Sequence, residues 1–341
     1  MDKITLINDD ALVALKKIDD GSVDLIIADP PYNLSKDYIG TSDSMEFKEF
    51  MKFTTAWLTE SKRVLKDNGV IYVFMGMRMI SYVFEIMERE LKLTFQNWIT
   101  WHYTQGVGKK KGWSSRHDDI LMFSKGEKPT FNLDKIRIPQ KYYRSINNMR
   151  GANPGNVWNF SHVHYSQKNR AKQHPTQKPE GVIERMILAS SNEGDTVLDP
   201  FSGSGTTMRV VQQTNRVGIG IEIESEYVKE TKDRLKSPFY GFDSIDERSL
   251  RVPNDLNDDD YRLNYLKNHI EWFVSNHESS IKMVLLDYIN KYSVKLTPSE
   301  VSYILDLSME HNFKFDRSTM KMLKSAVSKN SSQDIKLSLK L

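Results

Sequence analysis

The sequence predicts an α/β protein: a mainly parallel sheet with helices on both faces, followed by a small helical C-terminal unit. Three observations carry this. Short, mainly apolar runs recur through the first 235 residues, the mark of strands buried on both faces. Stretches with apolar residues at helical spacing separate them. Beyond Leu235 two prolines and an acidic run intervene, and the remaining pattern is helical.

The elements follow in order. Strands are predicted at Ile4–Ile7, Val23–Ala28, Val70–Met75, Thr196–Leu198 and Val217–Ile223. Phe47, Phe50, Thr54, Trp57, Leu58, Val64 and Leu65 mark one side of a helix. Met79, Val83, Ile86 and Met87 mark a second, and Val182, Ile183, Met186 and Ile187 a third. Asn97–Tyr103 and Asp119–Lys125 read as an antiparallel pair at the sheet edge, joined by the loop TQGVGKKKGWSSRH. From Ser124 to Lys172 the pattern fades among Pro129, Pro139, Pro154, Gly126, Gly151 and Gly155. The α/β domain is therefore expected over 1–123 and 173–236, with an insertion at 124–172, a linker at 237–260 and the helical unit at 261–341.

Composition narrows the function classes. No run approaches the ~20 apolar residues that span a bilayer. The opening MDKITLINDD has acids and no long apolar stretch, unlike a secretory signal, so a cytoplasmic location and no membrane partner are expected. The absence of cysteine excludes disulfides, thiolate catalysis and Cys-ligated zinc, and no metal is expected. The net charge is only +3, but His102–Gln173 holds fourteen basic and four acidic residues, so the rest of the chain is net negative. Trp113, Tyr142, Tyr143, Trp158, His162, His164 and Tyr165 are interleaved there, a composition that fits a polyanion better than a merely solvated surface.

Two motifs carry chemistry. ADPPYNL (Ala28–Leu34) puts an acid, two prolines and a tyrosine at the end of a buried strand. VLDPFSGSGTT (Val197–Thr207) runs from a strand through a glycine turn into a helix, with Glu222 seventeen residues past Gly205 at the end of the next strand. That arrangement resembles the dinucleotide-type crevice, in which the terminal acid binds ribose hydroxyls. A Walker loop would need a lysine where Thr206 and Thr207 stand, and a fuller G-x-G-x-x-G would need a glycine at Met208.

Together DPPY (Asp29–Tyr32) and DPFSGSGTT resemble the S-adenosylmethionine-dependent DNA amino-methyltransferases. With the DPPY motif first, the order resembles the β class. The resemblance spans roughly Lys3–Leu235 and includes LKDNGVIYVF, SRHDDILMFSKG, HPTQKP and GIEIESEYVKETKDRL. It implies a circularly permuted Rossmann-like methyltransferase fold with a twisted seven-stranded sheet. It implies a donor site lined by Asp199, Phe201, Gly203, Gly205 and Thr206, with Glu222 on the ribose and Asp10 on the adenine amino group of S-adenosylmethionine. HPTQKP (His174–Pro179), with Lys178, would pack beside the methionine part; a capped helix start before Pro179 is the alternative.

An exocyclic amine is a poor nucleophile because its lone pair is delocalised into the ring. Asp29 and the Pro30 carbonyl can fix its two N–H bonds, Pro30 and Pro31 stiffen the backbone, and Tyr32 offers a stacking face. The base must leave the duplex first. In the family that the motifs resemble, Asp at the first motif position usually accompanies adenine, so the resemblance implies adenine N6 over cytosine N4. C5 methylation is excluded, since it needs a cysteine. RNA or protein-glutamine methylation, and a DNA-binding protein with an inactive site, are the rivals. Lys109, Lys110, Lys111 and Arg116 are expected to grip the DNA backbone, and Arg137, Lys141, Arg144 and Arg150 to lie in the target-recognition region. Double-stranded DNA is the implied partner; a homodimer and a cognate restriction endonuclease sharing the target are compatible with the resemblance.

Overall fold

The computed structural model describes residues 3–33, 37–38, 41–42, 44–104, 108–143, 147–163, 171, 174, 176–239, 256, 258–277, 279–292 and 296–328. Arg144, most of the expected linker and part of the long basic loop lie outside the described residues. The chain divides into two units. One comprises Met1–Ile136 and Pro154–Ser249, the other Arg137–Asn153 and Leu250–Leu341.

The first unit is built on β1 (Ile4–Asn8), β2 (Val23–Ala28), β5 (Leu65–Met75), β6 (Thr94–His102), β7 (His117–Ser124), β8 (Val157–Asn159), β9 (Thr196–Asp199) and β10 (Val217–Glu222). A two-stranded ribbon, β3 (Asp37–Tyr38) and β4 (Thr41–Ser42), stands apart from this sheet. The sheet order is β1-β10-β9-β2-β5-β7-β6-β8, and β7 alone among these strands runs antiparallel to its neighbours. The sheet thus has eight strands where seven are expected. The eighth, β8, pairs in parallel with β6 and displaces β6 and β7 from the edge.

Strand β2 shows why such a run must be mainly apolar. Ile26 and Ala28 pack on one face with Trp57 and Leu58 of α2 (Phe47–Val64) and Val83 of α3 (Ile80–Glu85). Leu25 and Ile27 pack on the other with Val182 and Met186 of α4 (Glu180–Ser190) and Val210 of α5 (Thr206–Gln213). Alternate side chains point to opposite faces, so both phases of the strand need a hydrophobic residue. Each fully buried aliphatic side chain contributes about 1.5–3 kcal/mol. The one acid within β2, Asp24, is buried but satisfied: Lys66 Nζ lies 2.8 Å from both oxygens, and the Thr196 amide donates at 2.9 Å. A one-turn helix, α1 (Ala11–Leu15), follows β1, and α6 (Ser225–Lys236) follows β10.

The connections place the crevice. Helix α2 lies on one face and α5 on the other, yet the strands that precede them, β2 and β9, are neighbours. Ligands of open α/β sheets bind where the connections diverge in this way, outside the carboxyl ends of the strands.

The second unit packs α7 (Asp259–His277), α8 (Ile281–Tyr292), α9 (Pro298–Glu310) and α10 (Arg317–Ser328) around Leu266, Leu285, Tyr288, Ile289, Val301 and Leu323. Helix α9 opens with a capping box between Thr297 and Glu300, with Pro298 at its first turn. Glu300 also pairs with Arg262 at 2.8 Å, both buried. The insertion expected at 124–172 is divided between the two units. Residues 124–136 and Pro154–Val163 belong to the sheet unit, whereas Arg137–Asn153 belongs to the helical one. The physical reason is apolar: Tyr143 and Met149 are buried in the helical core. Tyr261 Oη donates to the Met149 carbonyl at 3.0 Å and Lys291 Nζ to that of Asn147 at 2.9 Å. An antiparallel bridge, Ile138 to Ala152, closes the base of the segment.

Candidate active site

Four strand ends deliver the acids. Asp29 follows β2, Asp199 ends β9, Glu222 ends β10, and Asp10 lies just past β1. Parallel alignment of these strands brings all four to the same end of the sheet, and all line one cavity of about 830 Å³ together with Pro30, Pro31 and Tyr32.

Asp29 is held at both oxygens. Tyr32 Oη donates to Oδ1 at 2.8 Å, and Lys178 Nζ lies 2.8 Å from Oδ2. The same ammonium stands 5.3 Å from the Tyr32 ring centroid and 5.2 Å from that of Phe74, within cation–π range. Lys178, expected beside the donor, is thus bound to the DPPY carboxylate. Its partner lies far away in the chain, and no local pattern reveals such a pair.

The glycine turn is shaped by what crowds it. Gly203 (φ +49°) and Gly205 (φ +72°) adopt the left-handed region that other residues avoid. A Cβ at Gly205 would come within 2.3 Å of Thr231, and one at Gly203 within 2.8 Å of His174 Nε2. The Gly203 amide donates to Glu222 Oε2 at 2.7 Å, and the Glu224 amide to Oε1 at 2.9 Å. Thr206 is buried in the first turn of α5, its hydroxyl 3.1 Å from that of Ser204. Phe201 packs edge-on against Trp57, with centroids 5.2 Å apart. Asp10 caps α1, accepting from the Leu12 amide at 2.9 Å.

Burial dominates the electrostatics. It pushes the Asp199 carboxyl up to about 7, against the lowering effect of the Thr207 hydroxyl and the Phe201 amide; the neighbouring Asp29 and Glu222 add to the rise. Burial also raises Glu222, opposed by the amides of Glu224 and Gly203. A crevice with this excess of acid suits a cationic ligand bearing hydroxyls. The buried Ser202 hydroxyl, which has no hydrogen-bond partner among the described residues, adds a polar group to the same wall.

A family model described as DNA methylase (N6_N4_Mtase) matches residues 23–233. The chain belongs to the DNA methylase family. It is 58% identical to the Type II methyltransferase M.HpaI of Haemophilus parainfluenzae over 312 residues, covering 91% of this chain and 98% of that one. It is 42% identical to the DNA adenine methyltransferase YhdJ of Escherichia coli (strain K12), covering 68% and 82% respectively. Among solved structures, an M1.HpyAVI–SAM complex is 26% identical with a TM-score of 0.52, covering 69% of this chain and 100% of that one. The cytosine-N4-specific PvuII DNA methyltransferase shares the fold, with a TM-score of 0.57 at 20% identity, covering 69% and 86%.

The basic residues of the methylase fall into two groups. Lys109, Lys110 and Lys111 are exposed on the loop between β6 and β7, and Lys109 also lines the cavity. Arg116 is partly buried next to that loop, its carbonyl accepting from the Tyr103 amide. Arg137, Lys141 and Arg150 belong to the helical unit, where Arg137 Nη1 donates to the Gly151 carbonyl at 2.9 Å. Sequence reasoning missed Phe74, Gly76 and Asp118 as site residues; they line the cavity together with His162, which was read only as one of the residues interleaved in the basic segment. A glycine directly after a buried strand, as in VFMG, is the one signal that could have marked Gly76. Among the described residues no helix is long and apolar enough to cross a membrane.

Proposed function

We propose that the methylase transfers a methyl group from S-adenosylmethionine to the N6 amine of an adenine rotated out of double-stranded DNA. The observation that carries this reading is the Asp29 carboxylate, held by Tyr32 and Lys178 in one cavity with Asp199 and Glu222. When bound, S-adenosylmethionine supplies an electrophilic methyl group. The residues of the turn fit it: acids for an ammonium and ribose hydroxyls, and glycines that keep the wall open.

Asp29 accepts one N–H of the target amine and the Pro30 carbonyl accepts the other, which draws the nitrogen lone pair out of conjugation. The carboxylate also stabilises positive charge as it develops on that nitrogen. Tyr32 donates to Asp29 while offering its ring face to the base. Lys178 fixes the orientation of the carboxylate before the base arrives. The first motif position, Asp29, favours adenine, and the likeness to an adenine methyltransferase supports it. The Type II designation of the Haemophilus relative supports a companion endonuclease that shares the target sequence. A DNA substrate supports a cytoplasmic location with the nucleoid. Nucleoside mass spectrometry of DNA treated with the protein should show N6-methyladenine; a product containing N4-methylcytosine alone would reject the choice of base.

A further inference from the structure

Trp113 is 97% exposed, an extreme for a side chain with so large an apolar area to hide. It lies two residues past the run Lys109, Lys110 and Lys111, all exposed, so one short loop carries an indole and three ammonium groups. The loop that carries it is a built turn: the Lys109 amide donates to Ser114 Oγ at 2.8 Å. Lys109 and Ser115, on either side of Trp113, line the same cavity as Asp29 and Tyr32. The loop that carries the ring therefore borders the proposed base pocket.

We propose that Trp113 is a wedge that enters the duplex as the target nucleotide leaves it. This rests on the DNA-methylation reading above. Extruding a nucleotide strips the flanking bases of a stacking partner, and that loss opposes catalysis. A flat aromatic side chain takes the place of the missing partner whatever the base, because every base presents a π face. The neighbouring lysines complement the phosphates on either side of the gap and hold the loop there. Trp113 is a positioning residue in this account, since it acts on the DNA stack and leaves the reacting amine to Asp29.

The test compares single-turnover methylation of two duplexes, one with a paired target adenine and one with the same adenine opposite an abasic position. Trp113→Ala should slow the paired substrate by about 5- to 150-fold, the range of base–aromatic stacking. It should restore a near-wild-type rate on the unpaired one, where the unstacking cost is already reduced. Trp113→Phe should recover part of the loss, and donor affinity should not change. Equal slowing on both substrates, or no slowing on either, overturns the wedge. Asp29→Ala serves as the separate control: it should be defective on both duplexes, and wild-type turnover there would reject the active-site reading rather than the role of Trp113.

Discussion

Asp199 sets the pH response of the crevice. With its carboxyl pushed up to about 7 by burial, the free protein holds that proton at pH 6 and has largely released it at pH 8. A cationic donor prefers the ionised form, so donor affinity should rise with pH across this range, and binding at pH 6 should release a proton. Calorimetric titration in buffers of different ionisation enthalpy measures both. Asp199→Asn should flatten the profile, and a pH-independent affinity in the wild type would contradict the assignment. The same shift has a sign for stability. The folded state holds this proton more tightly than the unfolded chain, so stability falls as pH rises from about 4 to about 7. The Asn variant should lack that fall.

The elements divide by how much of their cause is local. Strand β2 and the Val70–Met75 part of β5 were legible because burial on both faces forces a mainly apolar run, although Leu65, expected on the preceding helix, begins β5; the ends of β2 and β10 located Asp29 and Glu222. Strand β8 was not: three residues after Pro154 and Gly155 carry no periodicity, and only its pairing with β6 makes it a strand. Helix α1 is a single turn fixed by the Asp10 cap, too short to show a face. The Lys109–Lys111 loop was legible from charge alone. Replacing all three lysines with alanine should weaken DNA binding similarly on every sequence. It should also reduce the salt slope, log K against log salt, by up to about 3, near 0.9 for each phosphate no longer neutralised. An unchanged slope in fluorescence anisotropy would show that these ammonium groups do not meet phosphate.

At the scale of the whole molecule, the helical unit gives the basic segment a fixed form. Arg137–Asn153 holds four basic residues and no acid, whereas Asp258–Ser328 is almost balanced, with nine basic and ten acidic residues. Tyr143 and Met149 anchor that segment in the helical core, a long-range partnership that no local pattern reveals. A chain ending after Phe239 keeps the acids of the crevice, and it keeps the Arg234, Ser237 and Pro238 carbonyls that hold the Arg209 guanidinium. It should bind the donor normally and methylate with less discrimination between related sequences. Mapping of modified bases from a methylation-free host would measure this, and undiminished selectivity would make the helices dispensable for recognition.

The order of strands also governs when the enzyme comes into being. Strand β2 ends at Ala28, but its neighbour β9 begins only at Thr196. On the ribosome, the carboxylate that would hold the nucleobase emerges long before the lip that would cradle the donor. A nascent or prematurely terminated polypeptide ending between them therefore has half a pocket and no competence. Non-local pairing of this kind also delays completion of the sheet. Modification of the genome begins only with chains that have been synthesised past Glu222.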